Sequence, residues 1–201
     1  MGLMGGHFLG LGRVFAAFWV VFLLSVGQVP AQSVEDQANS LLRSLDTLSA
    51  RANMTEKERA KAFLAIAENA FNINQIAAAS LSRTLKLSPA AQQAYAKAFR
   101  VHLSLAYVEG LRRYGATESR VVGVRQRQGK PPIVFLRAQS GGTIRRSSWV
   151  LCSTETFLIC EIEVEGVRLA ARHRSDFSAV IRRDGFPAFL KALRSGALVH
   201  L

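Results

Sequence analysis

FLICEIEVEGVRLAARHRSDF, running from Phe157 to Phe177, is the stretch on which the fold turns. From Leu158 to Glu165 it alternates with period two. Leu158, Cys160, Ile162 and Val164 point one way, and Ile159, Glu161, Glu163 and Glu165 the other, so one face is apolar and the other mostly charged. That is the pattern of a half-buried strand. Gly166 interrupts the run, and Val167, Leu169 and Ala171 resume the apolar phase on the opposite parity, which predicts a bulge or sharp bend at the glycine. A helix opening at Arg174 or Ser175 and running through Arg183 then follows, ended by Asp184-Gly185, with a last helix from about Pro187 to Arg194.

Upstream of this run the texture is strand after Gly115 and helix before it. Val121 to Val124 and Ile133 to Ala138 predict two strands separated by a turn at Gly129-Lys130-Pro131-Pro132, and Ile144 to Cys152 predicts a third after Ser140-Gly141-Gly142. Phe157 to Val164 is the fourth. Short turns between neighbours imply an antiparallel meander. Ser33-x-x-Asp36 and Thr55-x-x-Glu58 have the form of capping boxes, Asn72 can cap a short helix reaching Leu81, and Ser88-Pro89 opens the longest helix. In that helix Tyr95, Ala98, Phe99, His102, Leu103, Ala106, Tyr107, Gly110, Leu111 and Tyr114 recur at spacings of three and four, a stripe too apolar to face water. It is expected to lie across the inner face of the sheet. The fold class is therefore α+β, a curved four-stranded antiparallel sheet packed against several helices.

The chain has 201 residues, enough for one domain with its own core. Residues 1–31 read as a cleaved secretory signal: Arg13 is the only charge before Glu35, Val14 to Val26 is apolar, and Val29-Pro30-Ala31 has the small-residue spacing of a cleavage site. The domain proper is expected over 32–201, outside the cytoplasm. Its basic excess is uneven, with 14 Lys/Arg against 6 Asp/Glu in residues 119–201 and 11 against 8 in residues 32–118. Such a field favours anionic partners, and export makes nucleic acid the poorest of them. Cys152 and Cys160 flank a short loop in an oxidising compartment; they suit a cross-strand disulfide, with two buried thiols as the alternative.

No Gly-x-Ser-x-Gly, His-Glu-x-x-His, phosphate-cradling glycine loop or Cys/His metal set occurs, so no enzyme class, cofactor or metal is indicated. His102 sits on the apolar stripe and reads as a hydrogen-bonded core histidine. Glu68 and Glu109 are the carboxylates whose pairing with it would revive a catalytic reading, and His173 and His200 lack companion spacing.

Taken together these residues resemble the MlaC-type, or toluene-tolerance, family of periplasmic phospholipid-binding proteins, over Phe63 to Leu193. Phe71-Asn72-Ile73 is similar to the family's Phe-Asp-Phe step, Leu87-Ser88-Pro89, Phe99 and Tyr107 fall on its long-helix pattern, and Glu165-Gly166-Val167, Arg174 and Phe177 agree with it. Leu85 and Phe157 stand where tryptophan is common, Glu161 where aspartate is, Arg168 where serine is and His173 where tyrosine is. The resemblance implies a periplasmic carrier that holds lipid tails in an apolar pocket between sheet and helices, passing lipid between an outer-membrane lipoprotein complex and an inner-membrane ABC transporter with transient membrane proximity. The ligand it implies is a phospholipid, or a hopanoid, since hopanoid-associated members share the pattern; a basic adaptor without cargo is the rival reading. Hiding tails from water requires only apolar lining, at about 0.8 kcal/mol per methylene. The candidate lining is Ile73 and Ile76, then Phe99, Leu103, Tyr107 and Leu111, then Val134, Leu136, Val150, Ile162, Val164, Val167 and Leu169, each equally suited to ordinary core. Arg145, Arg146, Arg168, Arg172 and Arg174 are the candidates for a headgroup or partner contact.

Overall fold

The computed structural model describes residues 33–114, 118–140 and 142–199; the secretory segment expected over 1–31 and His200 lie outside them. Four helices come first: α1 (Val34–Ala50), α2 (Glu56–Ala70), α3 (Ile73–Ala79) and α4 (Pro89–Tyr114). Their starts follow the local chemistry of the chain. Ser33 and Asp36 close one capping box, Thr55 and Glu58 a second, and the Asn72 side chain accepts from the Gln75 amide. The C-terminus of α1 is held from outside, since the Arg59 guanidinium donates to the carbonyls of Leu48, Ser49 and Arg51, where a cation also meets the negative end of the helix dipole.

Next comes an antiparallel meander of five strands in sequence order, β1 (Glu118–Arg127), β2 (Lys130–Ser140), β3 (Thr143–Leu151), β4 (Ile159–Val164) and β5 (Val167–Arg168). The fold is α+β, as the sequence indicates, with one strand more than expected. Glu165 and Gly166 both take positive φ, 48° and 81°, and form a two-residue hairpin turn instead of a bulge. Val167 therefore folds back onto Val164, and Arg168 onto Glu163. Immediately afterwards α5 (Leu169–Asp184) begins, five residues before the expected Arg174. Ala170, His173, Phe177 and Val180 are its buried face, a helical spacing hidden beneath the apparent alternation of Val167, Leu169 and Ala171. Arg168 offers no capping side chain; Glu161 of β4 accepts from the Ala170 amide at 3.3 Å in its place. A final helix, α6 (Phe186–Ser195), follows Gly185.

Two further details correct the strand reading. Val150 pairs with Glu161 and Leu151 with Ile159, leaving Cys160 as the extra residue of a β-bulge. The bulge reverses the phase, so Ile159, assigned to the charged side by alternation, is fully buried. Pro131 and Pro132, expected in a turn, lie inside β2 where the register with β1 shifts between Arg125 and Arg127, a place where a missing N–H costs no ladder bond. Cys152 and Cys160 are joined by a disulfide.

One face of the sheet meets the helices. Val124, Val134, Trp149 and Ile162 form one cross-strand row on it, and Val121, Leu136, Ser147 and Val164 the next. Val134, Leu136, Trp149, Leu151 and Ile159 join Phe63, Phe71, Ile73, Ile76, Phe99, Phe177 and Phe189 in a single core. The elements nearest the sheet are α1 on β1 and β2, and α3 and α5 on β4. The long helix does not take that place with its backbone; α4 runs beside α2 and α6 and reaches the core through its side chains. A backbone bond from Asn72 N–H to the Ile159 carbonyl, at 2.8 Å, ties the start of α3 to β4.

Candidate functional site

The candidate site is the apolar interior between the helices and the inner sheet face. Of the expected lining, Ile73, Ile76, Phe99, Val134 and Leu136 are buried there, between 0% and 4% exposed. Leu103, Tyr107 and Ile162 are half-buried against the same core, and Leu111 and Leu169 are half-buried. Val150 has the opposite parity to Trp149 and Leu151 and turns toward the other sheet face. Val164 and Val167 are surface residues, 40% and 53% exposed, because the hairpin turn carries both to the rim of the sheet.

This interior is filled by the protein's own rings. Phe63 and Tyr107 stack at 4.1 Å, and the Tyr107 hydroxyl donates to the Leu45 carbonyl at 3.3 Å. Tyr95 donates to the Ala77 carbonyl at 3.0 Å and packs on Phe99 and Phe189. Around Phe99 lie His102, His173 and Phe177, with the two imidazoles 5.4 Å apart and His173 stacked on Phe177 at 4.9 Å.

His173 thus has a companion that sequence spacing could not reveal, 71 residues earlier on α4. Neither His102 nitrogen, nor Nδ1 of His173, has a hydrogen-bond partner among the described residues, so the expected hydrogen-bonded core histidine is instead packed against the rings of Phe99, His173 and Phe177 without a hydrogen bond. Burial holds both imidazoles down at about 4, helped for His102 by His173 and for His173 by Arg172. The carboxylates are occupied elsewhere: Glu68 with Arg100 at 3.5 Å and Glu109 with Arg112 at 2.7 Å. Neutral imidazoles with no orienting carboxylate make a poor acid–base pair, and no group of three or more metal-ligating side chains occurs among the described residues.

Three open clefts surround the interior. One of about 510 Å³ between α3 and α4 is lined by Ala77, Ala78, Leu81, Leu85, Leu87, Tyr95 and Ala96 together with polar Asn74, Ser82, Arg83, Gln92 and Gln93. Another of about 330 Å³ is bounded by Glu68, Phe71, Asn72, Ile73, Asn74, Arg100 and Leu158. A third of about 530 Å³ lies between α1 and α2, beside Arg43, Thr47, Leu48, Arg51 and Ile66. All three fall in the size range of small-ligand sites, roughly 300 to 1,000 Å³. Ile73 is the one expected lining residue that borders any of them. Sequence reasoning passed over the α3–α4 cleft; its signal was the three leucines at 81, 85 and 87 in an otherwise polar connection.

The basic candidates separate. Arg174 donates twice to the Ala79 carbonyl, at 3.0 and 2.7 Å, and so closes the C-terminus of α3. Arg172 is paired with Asp176 at 3.7 Å. Arg145, Arg146 and Arg168 are exposed together at one end of the sheet.

The comparisons with known proteins agree with this architecture. A phospholipid-binding protein from Ralstonia solanacearum, solved in complex with a phospholipid, shares the fold with a TM-score of 0.66 at 12% identity, over 85% of this chain and 100% of that one. No curated protein sequence matches. Residues 35–195, from the first turn of α1 to the end of α6, match the model of the family described as MlaC protein, and the chain belongs to that family.

Proposed function

We propose that this protein is a periplasmic lipid carrier, made with a signal peptide removed near Ala31, that receives a phospholipid at one membrane complex and delivers it to another. The observation that supports this reading most is the shared fold with a protein solved around a phospholipid, taken with the family match over nearly all described helices and strands. The outer-membrane lipoprotein complex and the inner-membrane ABC transporter are its proposed partners, and no chemistry on the ligand is involved.

The tails are placed between the sheet and the helical layer, against Ile76, Leu103, Leu136 and Ile162. That space is occupied by side chains in this structure, so loading requires helices to move. Moving α4 breaks the Tyr95–Ala77 and Tyr107–Leu45 hydrogen bonds and the Arg100 contacts to Asn74 and Glu68, while its remaining core contacts are apolar and exchange one apolar neighbour for another. The start of α3 stays fixed by its backbone bond to Ile159.

Solvent extraction of the purified protein followed by mass spectrometry tests the proposal. Stoichiometric diacyl phospholipid supports it, and a polycyclic lipid supports the carrier with a hopanoid ligand. Protein that arrives empty and takes up no fluorescent phospholipid from donor vesicles refutes it.

A further inference from the structure

The outer face of the sheet, away from the helices, carries an unusual row. Arg120 on β1 is directly opposite Arg137 on β2, and Arg137 is directly opposite Arg146 on β3. Like charges directly opposite on neighbouring strands destabilise a sheet, and strands about 4.8 Å apart put all three within about 10 Å. None of the three guanidiniums forms an ion pair among the described residues. Glu165 accepts from the Arg146 backbone N–H at 2.6 Å, and Glu163 stands opposite Arg168. Arg120 and Arg146 are exposed and Arg137 half-buried.

Aliphatic groups without cover share this end of the sheet. Ile144, two residues from Arg146 and on the same face, is 45% exposed, and Val122, beside Arg120 at the β1 bulge, is 54% exposed. Val164 and Val167 stand at the rim, 40% and 53% exposed. Ile144 thus shares the face of the arginines and Val122 borders it at the bulge, while Val164 and Val167, on the opposite face, edge the same end of the sheet. Protein partners anchor in pockets, and the concavity beside Phe135, Arg146, Ser148 and Glu163 holds only about 100 Å³. A flat face of arginines fringed by aliphatic side chains fits phosphates in a plane with hydrocarbon beneath them.

We infer that the Arg120–Arg137–Arg146 row, with Ile144 and Val122, docks this protein on an anionic phospholipid surface. The inference extends the carrier reading by naming the face turned to the membrane while lipid is exchanged. It is tested apart from cargo, because bound lipid and vesicle binding are separate measurements.

Residues 32–201, which form one compact unit, are to be sedimented with vesicles of phosphatidylcholine alone and of phosphatidylcholine with phosphatidylglycerol at roughly three to one. Binding is expected only to the anionic vesicles and is expected to fall with added salt. Arg120, Arg137 and Arg146 replaced together by Gln should weaken it on the order of a hundredfold, about fivefold for each arginine. A variant with Lys57, Lys61 and Lys191 replaced by Gln, all exposed on helices, removes the same charge and should weaken it far less. Far-ultraviolet circular dichroism and lipid content verify that both variants fold and carry cargo as the unaltered protein does. Equal losses in the two variants would overturn the assignment of the row. Failure of the unaltered protein to sediment with anionic vesicles would overturn the membrane as its partner, whatever acidic protein the row then binds.

Discussion

Acid should unfold this protein through two side chains. His102 on α4 and His173 on α5 are 1% and 7% exposed, 5.4 Å apart, and walled by Phe99 and Phe177. Both are held at about 4 where an unfolded histidine titrates at 6.5. Between those limits the unfolded chain binds protons that the native state refuses, so stability rises with pH across that window and is lost as pH falls from 6.5 toward 4. At ~1.36 kcal/mol per pH unit the loss is about 3 kcal/mol for each histidine, so about 6 kcal/mol for the pair against a typical domain stability of roughly 5 to 15 kcal/mol. Urea denaturation at intervals from pH 7.5 to 4.5 measures it. Replacing both rings by Phe removes the titrating groups while keeping flat apolar shapes, and an unsatisfied polar ring exchanged for an apolar one should cost little at pH 7. A His102→Leu, His173→Leu pair guards against the larger ring failing to fit. The reasoning fails if the natural protein holds its stability down to pH 4.5, or if a folded double variant loses as much as it does.

Other contacts make smaller, separable predictions. Arg174→Ala removes two charge-assisted bonds to Ala79 and should lower stability by about 1.5 to 3 kcal/mol in urea denaturation, with lipid content per folded molecule unchanged; loss of lipid without loss of stability would return Arg174 to headgroup binding. Replacing Cys152 and Cys160 by Ser opens a loop with a sequence separation of 8 and should cost about 2.5 kcal/mol by chain entropy, read as a lowered Tm. Glu161→Ala takes away the acceptor at the start of α5 and should cost about 1 kcal/mol, with faster amide hydrogen exchange in the first turn of that helix.

What the sequence discloses here is mostly what is local. Ser33, Thr55, Asn72 and Ser88 announce their helices because a cap is satisfied within three residues, and the cap bonds form where the spelling puts them. The meander is legible for the same reason, its turns being short. The misreadings arise where period two and period 3.6 share residues. Val167, Leu169 and Ala171 alternate, yet Ala170, His173, Phe177 and Val180 are the face that is buried, and only the positive φ of Glu165, uncommon outside glycine, starts the helix so early. The Cys160 bulge is invisible because one extra residue changes the phase without changing composition. Tertiary juxtapositions were out of reach altogether. Arg174 finds Ala79, and Arg137 faces Arg120 and Arg146, through packing and register that no spacing encodes.

The filled interior and the carrier reading meet in one residue. Phe99 is fully buried, in contact with Tyr95, His102 and His173, so a lipid tail that occupies this interior must take over contacts that Phe99 now makes. Affinity for lipid is then a difference between tail packing and self-packing. Phe99→Ala should destabilise the empty protein by about 3 to 5 kcal/mol, because transfer and cavity terms add. It also leaves an apolar void that dry hydrocarbon can fill, so a short-chain phosphatidylcholine should raise the Tm of the variant by more than it raises that of the natural protein. Equal increments would put the tails elsewhere, with the leucine-lined α3–α4 cleft as the next place to probe. A larger increment in the variant would mean that ring and tail compete for the same volume.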